Sequence, residues 1–349
     1  MSLDAAVDSR EFERTIADFF TDRITRAEQL GGQYAQLWRF AFEATSGGKR
    51  IRPRLLLLAH DHLGGRDLPS ALRAGAAFEL LHTALLMHDD LLDGDLVRRG
   101  RPNVAGRFAA TAMDEGHGSR TARLWGSASA LLAGDLLISG AHALLAGIPG
   151  QQAAILTGIL DDTLLVTAAG EHSDVGYAMG VMPADDHDIL RMMEQKTAVY
   201  SFAAPLRAGA VLAGAPQRAA DELDRIGTAL GVLYQLRDDL LGVFGDEQRT
   251  GKSVVGDLRE GKRTLLVTFA EGTPAWTEVA HLFGRTPLDL VDAERLRRAL
   301  VSCGAADRVR AMLDDQHRRT RRLIAESTLP NGLRRALEQT ATTCVERTA

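Results

Sequence analysis

The stretch LLHTALLMHDDLLDGDLVRRGRPN, residues 80–103, decides the fold class and points to the chemistry. Apolar residues recur through it at helical spacing, and then Asp89, Asp90 and Asp93 interrupt them. On an α-helix Asp89 and Asp93 lie one turn apart on the same face, with Asp90 beside them. Leu85, Leu86 and Met87 precede the acids and Leu91 and Leu92 separate them, so the helix is mostly buried. Crowded carboxylates in such a place are costly unless a cation compensates them. The donors are hard oxygens, which suits magnesium: it keeps several waters and is commonly held by one or two carboxylates plus substrate phosphates. A solvated charge cluster at a helix end can have the same composition. The flank favours the metal reading, because Arg98, Arg99 and Arg101 follow within a turn or two, and guanidinium groups suit a bidentate grip on diphosphate.

Outward from this helix, apolar residues at helical spacing recur over 11–30, 34–44, 50–63, 69–93, 121–146, 151–168, 187–213, 218–244, 263–271, 289–302 and 306–326, with no alternating strand pattern between them. The expectation is an all-α protein, a single-domain helical bundle over 1–349. An N-terminal helix falls within 1–30, a Gly-rich loop at 112–120, and a tail at 330–349 that can fray. A hydrophobic share of 45% and a charged share of 25% allow a large core without disulfides or structural metal.

The formal net charge of −5 leaves no electrostatic footprint for nucleic acid. Cys303 and Cys344 stand far apart without a CxxC partner, which favours free thiols and a cytoplasmic location. The first twenty residues lack a basic region followed by an apolar run, and no stretch reads as a continuous run of about 18 apolar residues, so stable membrane insertion is not expected.

A second acidic helix is expected at YQLRDDLLGVFGD, residues 234–246, where Gln235, Asp238 and Asp239 share a face. The position matching Asp93 is Gly242, so this cluster is one carboxylate short. Basic residues are grouped elsewhere. SGGKRIRPR, residues 46–54, places Lys49, Arg50, Arg52 and Arg54 around a Gly-Gly turn that opens a helix, a sensible anion site. Lys196-Thr197 lies in MMEQKTAVYSF, and Lys252 and Lys262 bracket a Gly-containing segment with the look of a phosphate-closing loop. Each of these basic stretches is also compatible with an ordinary solvated surface.

Taken together the motifs resemble those of the trans-isoprenyl diphosphate synthases, over about residues 45 to 270. DDLLD at 89–93 matches the first aspartate-rich motif, Gly47 to Pro53 the GGKRxRP element, Arg98 to Pro102 the RRGxP element, Lys196-Thr197 the lysine–threonine pair, and Gln235 to Asp239 the second motif. The resemblance implies that Lys49, Arg52, His82 and Arg99 bind isopentenyl diphosphate. It implies that Arg98, Lys196, Lys252 and Lys262 hold the allylic diphosphate, and that Asp89, Asp93 and Asp238 carry magnesium, three ions per active site, with Asp90 and Asp239 in support. It further implies a homodimer. Gln235 and Thr197 are expected to steady an allylic cation.

Product length is expected to depend on the residues beneath the first motif. In some relatives aromatic residues four or five positions before the first Asp stop the growing chain; here those positions are Leu85 and Ala84, which leave room. Phe78, three turns below Asp89 at about 1.5 Å per residue, is the candidate floor, so the expected product has about twenty carbons or more. Two rival readings are a class I terpene cyclase, whose second motif RDDLLG does not resemble, and a non-catalytic accessory subunit, which the loss of an acid at Gly242 would suit.

Overall fold

The computed structural model describes residues 9–245, 256–285 and 287–347. They are helical apart from turns and one two-stranded antiparallel hairpin, Val97–Arg98 with Arg101–Pro102. The helices, in chain order, are α1 (Ser9–Glu28), α2 (Gly32–Thr45), α3 (Ile51–His62), α4 (Leu68–Asp93), α5 (Val104–Asp114), α6 (Ser119–Ala146), α7 (Gln152–Ala178), α8 (Asp186–Met193), α9 (Ala204–Leu212) and α10 (Gln217–Phe244). The short helices α11 (Gly256–Glu260), α12 (Leu265–Ala270) and α13 (Pro274–Thr277) lead to α14 (Leu290–Ser302), α15 (Ala305–Glu326) and α16 (Asn331–Glu346). The chain divides into two compact units, residues 1–160 with 205–217, and residues 161–204 with 218–349. Each is described by itself.

In the first unit α4 packs along α6, α5 lies on α6, and α1 packs against α2. Phe12, Ile16 and Phe20 on one face of α1 are almost wholly buried, and the Phe20 ring meets Trp38 edge-on at 6.2 Å. Both ends of α4 are written in its sequence. Asp67 accepts a hydrogen bond from the Ser70 backbone N–H at 3.1 Å, Pro69 stands in the first turn, and Gly94 closes the helix with φ 72°. The stop at Gly94 leaves the DDLLD acids in the last turn, where the helix dipole already disfavours negative charge. That is a further cost for a cation to offset.

In the second unit the decisive local feature is a π-helical stretch, Glu194–Ala203, that carries Lys196-Thr197. Glycines on two helices let this stretch in. A Cβ on Gly170 of α7 would stand 2.3 Å from the Lys196 backbone nitrogen, and one on Gly231 of α10 would stand 2.3 Å from Ala198 Cα. Gly231, Gln235 and Asp239 are spaced by four along one stripe of α10, so the same close approach sets Thr197 beside Gln235. The uniform helix expected over 187–213 is therefore three pieces: α8, the wide π turn and α9. Such π segments are frequent at functional sites.

Three other expectations need correction. The loop over 112–120 contracts to residues 115–118, because α5, unmarked by the apolar spacing, runs to Asp114 and is capped by Asn103, whose Oδ1 accepts from the Gly106 N–H at 2.8 Å. Of the tail over 330–349, the stretch Asn331–Glu346 is a packed helix: α16 buries Leu333, Leu337 and Ala341 completely, a 3.6-period stripe that flanking Arg and Thr residues obscure. Two helices, α6 and α7, are long and apolar enough to cross a membrane, with mean hydropathies of 1.5 and 1.4 in their best windows. Their Ala, Gly and Leu content raises the average without a continuous apolar run, and core helices of a helical protein pass the same test.

Candidate active site

One group of candidate residues is assembled within the first unit. Asp89 and Asp93 occupy the last turn of α4, Asp89 partly open and Asp93 exposed, while Asp90 turns inward and is only 4% exposed. The hairpin after α4 reaches back to them. Arg98 Nε donates to Asp90 Oδ1 at 2.7 Å, and its Nη2 donates to Asp89 Oδ2 at 3.2 Å. Burial pushes the Asp90 carboxyl up and Arg98 opposes the shift. Asp90 is thus a staple between helix and hairpin, and the open carboxylates are Asp89 and Asp93. Arg98, expected on the allylic diphosphate, is engaged with these two acids.

The turn of the hairpin has two consecutive residues at positive φ, Arg99 at 53° and Gly100 at 72°, the pattern of a type I′ turn. An arginine there is strained, and the turn carries its guanidinium beside Gly48, where an added Cβ would stand 3.4 Å from Arg99 Nη1. The Gly-Gly turn is itself anchored by Arg50, which also has positive φ, at 50°. Arg50 Nε and Nη2 donate to Glu13 at 2.8 and 2.9 Å, and its Nη1 donates to Glu79 at 2.9 Å and to the Thr45 carbonyl at 2.7 Å. Arg50 therefore serves the fold, whereas Lys49 is exposed on the same turn. Arg52 is buried at the head of α3 and acts electrostatically on His82. Burial first, then Arg52, Arg99 and Arg98, hold His82 well below the usual imidazole range, so it is neutral. The sequence-predicted group Arg52, His82 and Arg99 is thereby brought together. Guanidinium groups gathered this closely are a ready site for a polyanion.

Another group of candidate residues lies within the second unit. Lys196 Nζ donates to Asp174 Oδ2 at 2.6 Å and to Glu171 Oε1 at 3.0 Å. Thr197 Oγ1 donates to Gln235 Oε1 at 2.9 Å, and Gln235 Nε2 donates to Asp239 Oδ1 at 2.7 Å, which fixes the amide. Asp238 is partly open and accepts from Arg347 Nη1 at 3.0 Å. Asp239 is 3% exposed, and burial pushes its carboxyl up to about 7. Lys262 is held well above the usual lysine range, first by Asp257 and then, against the cost of its burial, by Asp239, Asp174 and Asp238. Lys252 lies outside the described residues. Sequence reading missed Glu171 and Asp174, whose i,i+3 spacing on α7 was their only signal. It also missed Asp257 and Arg347, which reach the cluster from segments remote from α10.

Among the described residues no group of three or more His, Cys, Asp or Glu side chains is placed to hold a metal ion by itself. The oxygen donors, paired at one turn's spacing and open on one side, fit a magnesium ion that completes its shell with water and phosphate.

The chain is similar to known proteins over most of its length. The family profile described as polyprenyl synthetase matches residues 36–299. A geranylgeranyl diphosphate synthase of Methanosarcina mazei is 33% identical over 291 residues, 82% of this chain and 80% of its own length. A geranylfarnesyl diphosphate synthase of Aeropyrum pernix is 34% identical over 268 residues, 75% of this chain and 78% of its own. Among solved structures, the geranylgeranyl pyrophosphate synthase of Corynebacterium glutamicum complexed with isoprenyl diphosphate and magnesium superposes with a TM-score of 0.91 at 26% identity, covering 99% of this chain and 100% of that one. A polyprenyl synthase of Caulobacter crescentus, complexed with calcium and isoprenyl diphosphate, gives 0.79 at 30% identity, covering 100% of this chain and 98% of that one. With its all-α fold, its aspartate-rich helices and this breadth of match, the chain belongs to the polyprenyl synthetase family of prenyl-transferring enzymes.

Proposed function

We propose that the chain condenses isopentenyl diphosphate with an allylic prenyl diphosphate and releases a product of about twenty carbons or somewhat more. The observation that carries this reading is the guanidinium cluster of Arg52 and Arg99 around neutral His82, built separately from the lysines of the second unit. One diphosphate needs one cationic site; two sites imply two diphosphates and hence a condensation.

Magnesium, when bound, supplies Lewis-acid stabilisation of the leaving diphosphate, and Asp89 and Asp93 in the first unit and Asp238 in the second are the ligands proposed for a set of three ions. The remaining steps fall to the chain and its substrates. Lys196, aimed by Glu171 and Asp174, and Lys262 neutralise the allylic diphosphate as its carbon–oxygen bond breaks. Gln235, oriented by Thr197 and Asp239, presents a fixed dipole toward the allylic cation. Arg52, Arg99, His82 and Lys49 hold isopentenyl diphosphate so that its double bond attacks that cation. A proton then leaves to the released diphosphate, and no side-chain nucleophile is needed. The apolar face of α4 below Asp89 gives the growing chain dry surroundings: Phe78 and Ala84 are completely buried, and Phe78 lies eleven residues before Asp89, on the same face.

The chain is further proposed to act as one catalytic domain in a cytoplasmic homodimer without stable membrane insertion. Support for the dimer comes from α6, whose Leu124, Leu131 and Leu132 are 71%, 49% and 54% exposed on one side, an unusual cost for a monomer. Its free cysteines accord with a reducing compartment.

Initial-rate kinetics test the two-site reading. Arg52→Met or Arg99→Met is expected to raise KM for isopentenyl diphosphate roughly tenfold or more, with a far smaller change for the allylic substrate; an equal rise for both would contradict it. Product sizing tests the chain-length reading. Ala84→Phe is expected to shorten the product, and an unchanged length would remove α4 as the wall.

A further inference from the structure

Gly242 breaks the repeat of acids on α10, and the space it leaves is filled. Asp238 and Asp239 open the same D-D-L-L pattern as Asp89 and Asp90, but one turn beyond Asp238 the chain has glycine where α4 has Asp93. A Cβ on Gly242 would stand 2.1 Å from Asp257 Oδ2 and 2.9 Å from its Cγ. A side chain there would have to displace the carboxylate of Asp257, delivered by α11, which already occupies the position. The delivery has a local cause. The Lys262 backbone N–H donates to the Asp257 carbonyl at 3.0 Å, which curls residues 257–262 into a closed turn and sends both side chains toward α10.

Acids gather around Lys262. Asp174, Asp238, Asp239 and Asp257 all act on the half-buried Lys262, and Glu171 shares Lys196 with Asp174. Asp174 is 7% exposed, and its Oδ1 makes no hydrogen bond in the structure. Among the described residues, these five acids are met by Lys196, Lys262 and Arg347. Crowded, partly buried acids with an unsatisfied carboxylate oxygen favour a cation.

We infer that Asp257 is the third carboxylate of the second acidic cluster, brought from α11 to the place that Asp93 holds in the first, and that it helps retain a divalent cation there. The inference rests on the prenyl-transfer reading for its purpose but not for its test. It also removes the main argument for an accessory subunit, since the acid missing at position 242 is present in space.

Because the two positions exclude each other sterically, they can be exchanged. Wild type, Asp257→Ala, Gly242→Asp and the double variant are compared by two readouts: binding of Mn2+ in the presence of inorganic diphosphate, followed by the paramagnetic resonance of free Mn2+, and the Mg2+ dependence of elongation. Asp257→Ala is expected to weaken Mn2+ binding roughly tenfold or more. Gly242→Asp alone forces two carboxylates into one space and also weakens it, whereas the double variant returns affinity to within about threefold of wild type. A role limited to neutralising Lys262 would leave the metal affinity unchanged. The assignment is overturned if Asp257→Ala binds Mn2+ as wild type does, or if the double variant binds no more tightly than Asp257→Ala. Should the alanine variant fail to fold by circular dichroism, Asp257→Asn keeps the shape and removes the charge, and unchanged Mn2+ affinity there overturns the assignment equally. If wild type elongates nothing while the exchange still restores Mn2+ binding, the prenyl-transfer reading falls and the assignment of Asp257 stands.

Discussion

The two acidic helices begin alike and are completed differently. In each, the first aspartate is partly open and paired with an arginine, Asp89 with Arg98 and Asp238 with Arg347, and the second is buried, Asp90 under the hairpin and Asp239 against Gln235. On α4 the third acid follows one turn later on the same helix. On α10 that position is a glycine, and Asp257 enters from another segment. A charge pattern can thus be kept in space after it is lost from the sequence, provided the helix yields the volume of one side chain.

This comparison can be broken most directly at its open acids. Asp89→Ala is expected to cut elongation by about 10²–10³-fold, and Asp238→Ala by less, because Asp257 remains beside it. Steady-state rates at saturating magnesium decide this, and a smaller loss at Asp89 than at Asp238 would reverse the ranking of the two clusters.

A second test concerns the frame around the first cluster. Arg50 and Glu79 form a buried pair, their side chains 9% and 6% exposed, and Glu13 shares the guanidinium. Arg50→Met strands the two carboxylates and is expected to lower unfolding free energy by about 3–5 kcal/mol in urea titration. A loss under about 1 kcal/mol would show that the Gly-Gly turn does not depend on this anchor.

The third test uses pH. Burial holds the Asp239 carboxyl at about 7, against 3.8 in an exposed chain. Between those values the folded protein keeps a proton that the unfolded chain has lost, so Asp239 makes stability fall as pH rises from about 4 to about 7, with no further fall above. In metal-free buffer, Asp239→Asn is expected to gain in melting temperature over wild type at pH 8 relative to pH 5. An equal difference at both values would place the Asp239 carboxyl in the ordinary range.

The smallest effect is expected at Arg347. Its pair with Asp238 is 17% and 24% exposed at the two side chains, so Arg347→Ala should change stability by about 1 kcal/mol or less. A larger loss would make Arg347 part of the frame of the second cluster.

What the sequence disclosed follows the same division. Asp89, Asp93 and Asp238 were legible because their spacing alone puts them on helix faces, and α4 was legible end to end through Asp67 and Gly94. The grouping of Arg52, His82 and Arg99 was legible only through family resemblance, since their convergence depends on how a hairpin and a Gly-Gly turn fold onto α4. Asp257 was not legible at all: its role depends on the volume missing at Gly242, which becomes meaningful only when α11 and α10 are seen together. The π turn was hidden for a similar reason, because the glycines that admit it lie on two other helices. Arg50 was read with the other cations of its turn, and only its bonds to Glu13 and Glu79 separate it from them.

The central claim is that two diphosphates meet in one elongation reaction. The purified protein incubated with magnesium, labelled isopentenyl diphosphate and, in turn, dimethylallyl, geranyl and farnesyl diphosphate should yield extended prenyl diphosphates of about twenty carbons or more with at least one starter. Failure to incorporate label with any of the three, by a protein shown to be folded, would contradict it.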